Sequence, residues 1–188
     1  MNSKKPEMQV KIQNVVASVT TGQTLDLDEI VKAFPEAEYK PHVFPGLCLR
    51  LKEPKTATLL FKTGKMVCTG ARSVSQAKKA VHKVLKELEA KNLFIRCEPE
   101  ITIQNIVASA VLGGRVSLEM AVYSLERIMY EPEQFPGAVY RMDEPKVVIL
   151  IFSNGKLVVT GAKSEEGAYQ AAERLQKKLE ERELIHYE

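Results

Sequence analysis

Apolar positions along the chain switch between two spacings. Val, Ile, Leu and Phe alternate with polar residues, or run on without a break, near 9–20, 47–52, 56–62 and 65–69, which predicts strands. A shorter strand is expected near 38–40, and Pro45-Gly46, Glu53-Pro54 and Thr63-Gly64 supply turns. Elsewhere the spacing widens to that of a helix. Asp26 and Glu29 have capping-box spacing ahead of a short helix at about 27–33, which Pro35 stops. Ser73 with Gln76 opens a long helix, on which Ala77, Ala80, Val81, Val84, Leu85 and Leu88 fall on one stripe.

The same order then returns. Gln13-Asn14-Val15-Val16-Ala17-Ser18 reappears as Gln104-Asn105-Ile106-Val107-Ala108-Ser109, an offset of 91 residues. That offset also carries Phe44-Pro45-Gly46 to Phe135-Pro136-Gly137, Glu53-Pro54-Lys55 to Glu144-Pro145-Lys146, and Thr69-Gly70-Ala71 to Thr160-Gly161-Ala162. About two positions in five are identical from residue 12 to residue 89, with no gap. Two copies make an internal duplication and not a solenoid. We place the copies at 1–97 and 98–188 and expect a pseudo-twofold molecule. In the second copy Ser117 opens the short helix, and the long one after Ser164 carries Ala168, Ala171, Ala172, Leu175 and Leu179. Strands grouped between helices argue an α+β fold, an antiparallel sheet with helices on one face.

Parity sorts the strand residues. Ala57, Leu59 and Phe61 share one face with Val67 and Thr69, while Thr58, Leu60, Met66 and Cys68 take the other. In the continuous run from Val147 to Phe152, Val148, Leu150 and Phe152 oppose Val147, Ile149 and Ile151. Helices that cover one set leave the other as a broad apolar surface, the mark of a binding site. The alternative is a sheet enclosed between two helical layers, but each copy offers only two helices and one is short. Polar residues on the open set narrow the choice. Asn14 and Asn105 stand mid-strand, where Asn has poor propensity, and Thr69 and Thr160 end the last strand of each copy. Amides and hydroxyls set among Val and Leu suit the DNA minor groove, whose A·T floor offers acceptors only.

Composition removes several classes. With 45% hydrophobic residues the chain can bury a core, and none of its apolar runs approaches the roughly 18 residues of a membrane span. The start MNSKKPEMQ lacks a secretory h-region, so an intracellular protein with no membrane partner is expected. Cys48, Cys68 and Cys97 have no C-x-x-C spacing and read as small buried apolar residues. Net charge is only +3, but residues 1–91 hold 16 basic against 9 acidic residues, net +7, and residues 92–188 hold 11 against 15, net −4. The two copies should attract different partners.

The doubled Q-N-[VI]-V-A-S, the segment YEPEQFPGAVYRMDEPK and the block F-x-x-G-K-[ML]-V-x-T-G-A-[KR]-S resemble the TATA-box-binding protein family over about Lys11 to Leu184. The resemblance implies a saddle, a curved ten-stranded antiparallel sheet with four helices on its convex back, seated on a bent minor groove of A·T-rich promoter DNA. Wedge insertion is known for that family. It places intercalating rings at Phe44, Phe61, Phe135 and Phe152, although a strand-ending Phe is more often core. Base contacts would fall to Asn14, Val16, Leu59, Val67 and Thr69, and to Asn105, Val107, Leu150, Val158 and Thr160. Arg50, Lys55, Lys65, Arg141, Lys146 and Lys156 match positions near phosphates, where the bland reading is a solvated charge. Glu131 and Glu133 lie on the loop that resembles the stirrup for transcription factor B, through which RNA polymerase is recruited indirectly. The first copy has Lys40 and His42 there. Val43 stands before Phe44 where eukaryotic members tend to carry a cation, and the features look archaeal. That implies a cytoplasmic location, against a nuclear one for a eukaryotic member.

His42, His82 and His186 lie far apart, and no phosphate loop or H-E-x-x-H occurs, so neither an enzyme nor a cofactor is expected. His82 should face solvent. Two functions remain, a promoter binder that kinks duplex DNA and a single-strand binder that uses its phenylalanines as stacking platforms.

Overall fold

The computed structural model describes residues 5–188; the first four residues of the polar start lie outside them. Two compact units emerge, one of 14–104 and one of 5–13 with 105–188.

In the first copy, β1 (Gln9–Thr20) is followed by α1 (Leu27–Ala33), β2 (Leu47–Lys52), β3 (Lys55–Leu60), β4 (Lys65–Ala71) and α2 (Val74–Ala90). Asp26 caps α1 by accepting from Glu29 N–H at 3.2 Å, and Ser73 caps α2 by accepting from Gln76 N–H at 3.0 Å, as the capping spacing predicts. The strands run antiparallel in the order β2-β3-β4-β1. The stripe of α2 lies on the sheet, with Ala77, Ala80, Val81, Val84 and Leu88 buried and Leu85 half-buried.

The second copy repeats the plan. Here β5 (Glu100–Val111), β6 (Arg115–Val116), α3 (Leu118–Ser124), β7 (Ile128–Met129), β8 (Ala138–Met142), β9 (Val147–Ile151), β10 (Lys156–Ala162), α4 (Glu165–Glu181) and β11 (Ile185–His186) follow in turn. Their sheet order is β5-β10-β9-β8-β7. Buried Ala168, Ala171, Ala172, Leu175 and Leu179 form the face of α4.

Five strand positions per copy give the expected ten, with two departures. The strand expected near 38–40 shrinks to one bridge, Glu38 to Cys48. After Pro35, the Ala37 N–H closes a turn on Phe34 C=O, whereas in the second copy Arg141 N–H donates to Arg127 C=O and extends the ladder. The second copy also adds a ribbon of β6 and β11, which sequence reading missed. At its end burial, then a hydrogen bond donated to Glu180, pushes the Tyr187 phenol up to about 12. Glu180 itself, despite opposing burial, is held below the usual carboxylate range by Lys5 and Tyr187.

The cysteine expectation holds only for Cys68, whose thiol is raised by burial. Cys48 is half-buried, because its strand parity turns it to the uncovered side, and Cys97 is exposed in the linker after α2. His82 faces solvent as expected.

Candidate nucleic-acid interface

Burial separates the strand faces as parity predicts. Leu49, Thr58, Leu60, Met66 and Cys68 in one copy, and Tyr140, Ile149, Ile151, Leu157 and Val159 in the other, are buried on the helix side. Asn14, Val16, Leu59, Phe61, Val67 and Thr69 are half-exposed, and so are Asn105, Val107, Leu150, Phe152, Val158 and Thr160. Their own helices do not roof them.

Register lines these residues up. Cys48 opposes Leu59, Leu59 opposes Val67, and Val67 opposes Ser18, one row across four strands. Val139, Leu150, Val158 and Ser109 make the matching row. Cys48 and Val139 belong to the candidate surface although the sequence argument did not include them; the alternation of Leu47, Leu49 and Leu51 against Cys48 and Arg50 carried that signal.

The aromatic rings pair at the strand ends. Phe44 and Phe61 meet edge to face at 5.9 Å, and Phe135 and Phe152 at 5.8 Å, with Phe44 45% and Phe135 39% exposed. The F-P-G motif follows from this packing. A Cβ on Gly46 would come within 2.7 Å of Phe44 and 3.0 Å of Phe61, and one on Gly137 within 2.8 Å of Phe135 and 3.0 Å of Phe152.

Mid-strand, Asn14 is held on two sides. Its Oδ1 accepts from Gly70 N–H at 2.7 Å, and its Nδ2 donates to Thr69 Oγ1 at 3.1 Å. Asn105 repeats the arrangement with Gly161 at 2.7 Å and Thr160 at 3.3 Å. Thr69 and Thr160 do not end their strands as expected, since β4 and β10 run on to Ala71 and Ala162. Farther along the same strands, Ser18 accepts from Gln104 Nε2 and Ser109 from Gln13 Nε2, each at 2.8 Å.

Cations edge this surface. Arg50, Lys55, Lys65, Arg141, Lys146 and Lys156 are all exposed, and Arg50 stands 3.9 Å from Glu38 with both side chains about two-thirds exposed, too open for a strong pair. Beside Arg141, Asp143 is bonded to Arg127, which holds its carboxyl below the usual range. The loops before the F-P-G motifs share one backbone turn. Phe44 N–H donates to Lys40 C=O at 2.9 Å, and Phe135 N–H to Glu131 C=O at 3.0 Å. Glu131 and Glu133 are exposed on that turn, as are Lys40 and His42. Among the described residues no group of three His, Cys, Asp or Glu could hold a metal ion, and no helix is long and apolar enough to cross a membrane.

A family model described as "Transcription factor TFIID (or TATA-binding protein, TBP)" matches the chain twice, over residues 9–91 and 100–182. The chain belongs to the TATA-box-binding protein family. Among its relatives, the TATA-box-binding protein of Archaeoglobus fulgidus is 51% identical over 92% of this chain and 96% of its own length. That of Pyrobaculum calidifontis is 49% identical over the whole of this chain and 94% of its own. The solved Methanococcus jannaschii TBP superposes with a TM-score of 0.84 at 47% identity, covering 92% of this chain and 99% of that one. The TATA-box-binding family thus accounts for the α+β fold of four helices, the antiparallel strands and the two repeats, and these relatives are archaeal.

Proposed function

We propose that this chain is a general transcription initiation factor that binds the minor groove of A·T-rich promoter duplex. In this reading Phe44, Phe61, Phe135 and Phe152 unstack base steps and kink the DNA, at about a few kcal/mol per step. Val16, Leu59, Val67, Val107, Leu150 and Val158 supply the apolar floor, and Asn14, Thr69, Asn105 and Thr160 the donors. Arg50, Lys55, Lys65, Arg141, Lys146 and Lys156 meet phosphates and make affinity fall with salt. Glu131 and Glu133 seat transcription factor B, which brings in RNA polymerase; no catalytic step is assigned to the chain.

One observation carries the reading. Each copy presents a half-exposed apolar sheet face with an Asn-Thr donor pair within it and a Phe pair at its end. A ligand that satisfies such a face twice must offer apolar contact, acceptors and stackable rings twice, as the two strands of a duplex do. The relatives' name, TATA-box-binding protein, agrees. The test is mobility shift and bending on an A·T-rich duplex, its G·C-substituted version and the matching single strand. Tight, bent binding of the first is expected; preference for the single strand would replace this reading with that of a stacking platform.

A further inference from the structure

We infer that Gly70 and Gly161 set the polarity of the open face, by fixing which end of the Asn14 and Asn105 amides is left for a ligand. The inference rests on the minor-groove reading and names what makes the groove contact selective.

The ladder slips at the same place in both copies. Val15 opposes Ala71 but Ala17 opposes Cys68, so Thr69 and Gly70 together stand against Val16. Ile106 opposes Ala162 but Ala108 opposes Val159, so Thr160 and Gly161 stand against Val107. Each is a β-bulge whose glycine has a positive φ, +101° at Gly70 and +98° at Gly161, where a side chain is strained. At Gly70 a Cβ would also press to 3.3 Å from Lys55 C=O.

The glycine N–H then decides the amide. It donates to Asn Oδ1 at 2.7 Å in both copies, and an amide turned over would set its NH2 against that N–H, donor to donor. With the oxygen engaged, Nδ2 gives one hydrogen to the threonine Oγ1 and keeps the other. The threonine accepts and so keeps its own hydroxyl hydrogen. In the first copy this hydroxyl can also donate to Asn14 Oδ1 at 3.3 Å, since an amide oxygen accepts two hydrogen bonds and Gly70 fills only one, so there the second Nδ2 hydrogen is the principal donor left for a ligand. A backbone donor at one end of the relay therefore leaves donors at the other. Donors match adenine N3 and thymine O2 and oppose the amino group of guanine.

The paired substitution Asn14→Asp with Asn105→Asp reverses the relay, because a carboxylate takes the glycine N–H on one oxygen and the threonine O–H on the other. Binding of the full chain is measured on two duplexes differing only by G·C for A·T at the two central pairs, and the affinity ratio is read. A fall in the A·T-over-G·C ratio of about tenfold is expected. General charge repulsion would weaken both duplexes alike, and an unchanged ratio overturns the inference. Thr69→Val with Thr160→Val should lower the ratio in the same direction by about threefold. Gly70→Ala with Gly161→Ala should lower it with both Asn residues intact; folded protein keeping its full ratio refutes the glycine's role. A wild-type chain with no preference for the A·T duplex sinks the minor-groove reading and this inference together. A preference that every folded variant retains sinks the inference alone.

Discussion

The two faces of each sheet differ in how closely the two copies agree. On the open face Asn14, Val16, Ser18, Leu59, Phe61, Val67 and Thr69 are identical to their counterparts 91 residues on. On the helix side Leu49 answers to Tyr140, Leu51 to Met142, Thr58 to Ile149, Leu60 to Ile151, Met66 to Leu157 and Cys68 to Val159. The open face departs where Cys48 answers to Val139 and Ala57 to Val148, and toward the strand ends where Thr20 answers to Val111 and Lys52 to Asp143. A core accepts exchanges that keep its volume and pattern, so it tolerates this variation. A surface held to the same side chains twice answers to something outside the chain whose shape does not change. Loops show the converse. Their backbone turn is the same, yet Lys40 and His42 stand where the second copy has Glu131 and Glu133.

The comparison breaks first at the wedges. Phe61→Ala and Phe152→Ala should each cost about 2 kcal/mol of A·T-duplex affinity and reduce the bend, with melting less affected. Equal losses from both positions, by titration and fluorescence bending, support equivalent faces; loss of folding with affinity per folded molecule intact defeats the wedge role. Next, the loops can be made alike. Lys40→Glu with His42→Glu puts carboxylates on the same turn, and transcription factor B should then bind in both directions on a near-symmetric promoter, a change of about tenfold in orientation bias by footprinting. Unchanged orientation would remove the charge argument.

A smaller effect is expected in the core. The Thr58 hydroxyl is buried beside Cys68 with no hydrogen-bond partner of ordinary geometry, and the second copy has Ile149 there. Thr58→Val should raise stability by about 1 kcal/mol in denaturant unfolding, without changing DNA affinity. The smallest effect is with pH. Tyr187 ionises higher in the folded chain than its ordinary 10.0, so its contribution is whole below pH 10 and is lost as pH rises toward about 12. The first copy carries Arg96 at the matched position, so amide exchange should report alkaline loosening near β11 and not near residue 96.

Much of the fold was legible. Capping residues, helical stripes and strand parity each depend on neighbours within a few positions, and Asp26, Ser73, Ser164 and the alternation around Leu59 behaved as read. What escaped depends on distant partners. Glu38 keeps a single bridge, Cys97 lies exposed, and β11 forms because Val116 offers Ile185 a partner 69 residues away. Periodicity carries no information about such pairings.

The sequence by itself determined which side chains share a face and that the plan occurs twice, since a strand alternates and a repeat is a count. Only the tertiary structure decided what the shared asparagines offer. Their amide orientation is set by a glycine N–H 56 residues along the chain, brought alongside by a bulge that shifts the register by one. An Asn read from sequence is donor and acceptor alike, and the folded neighbour removes one of the two.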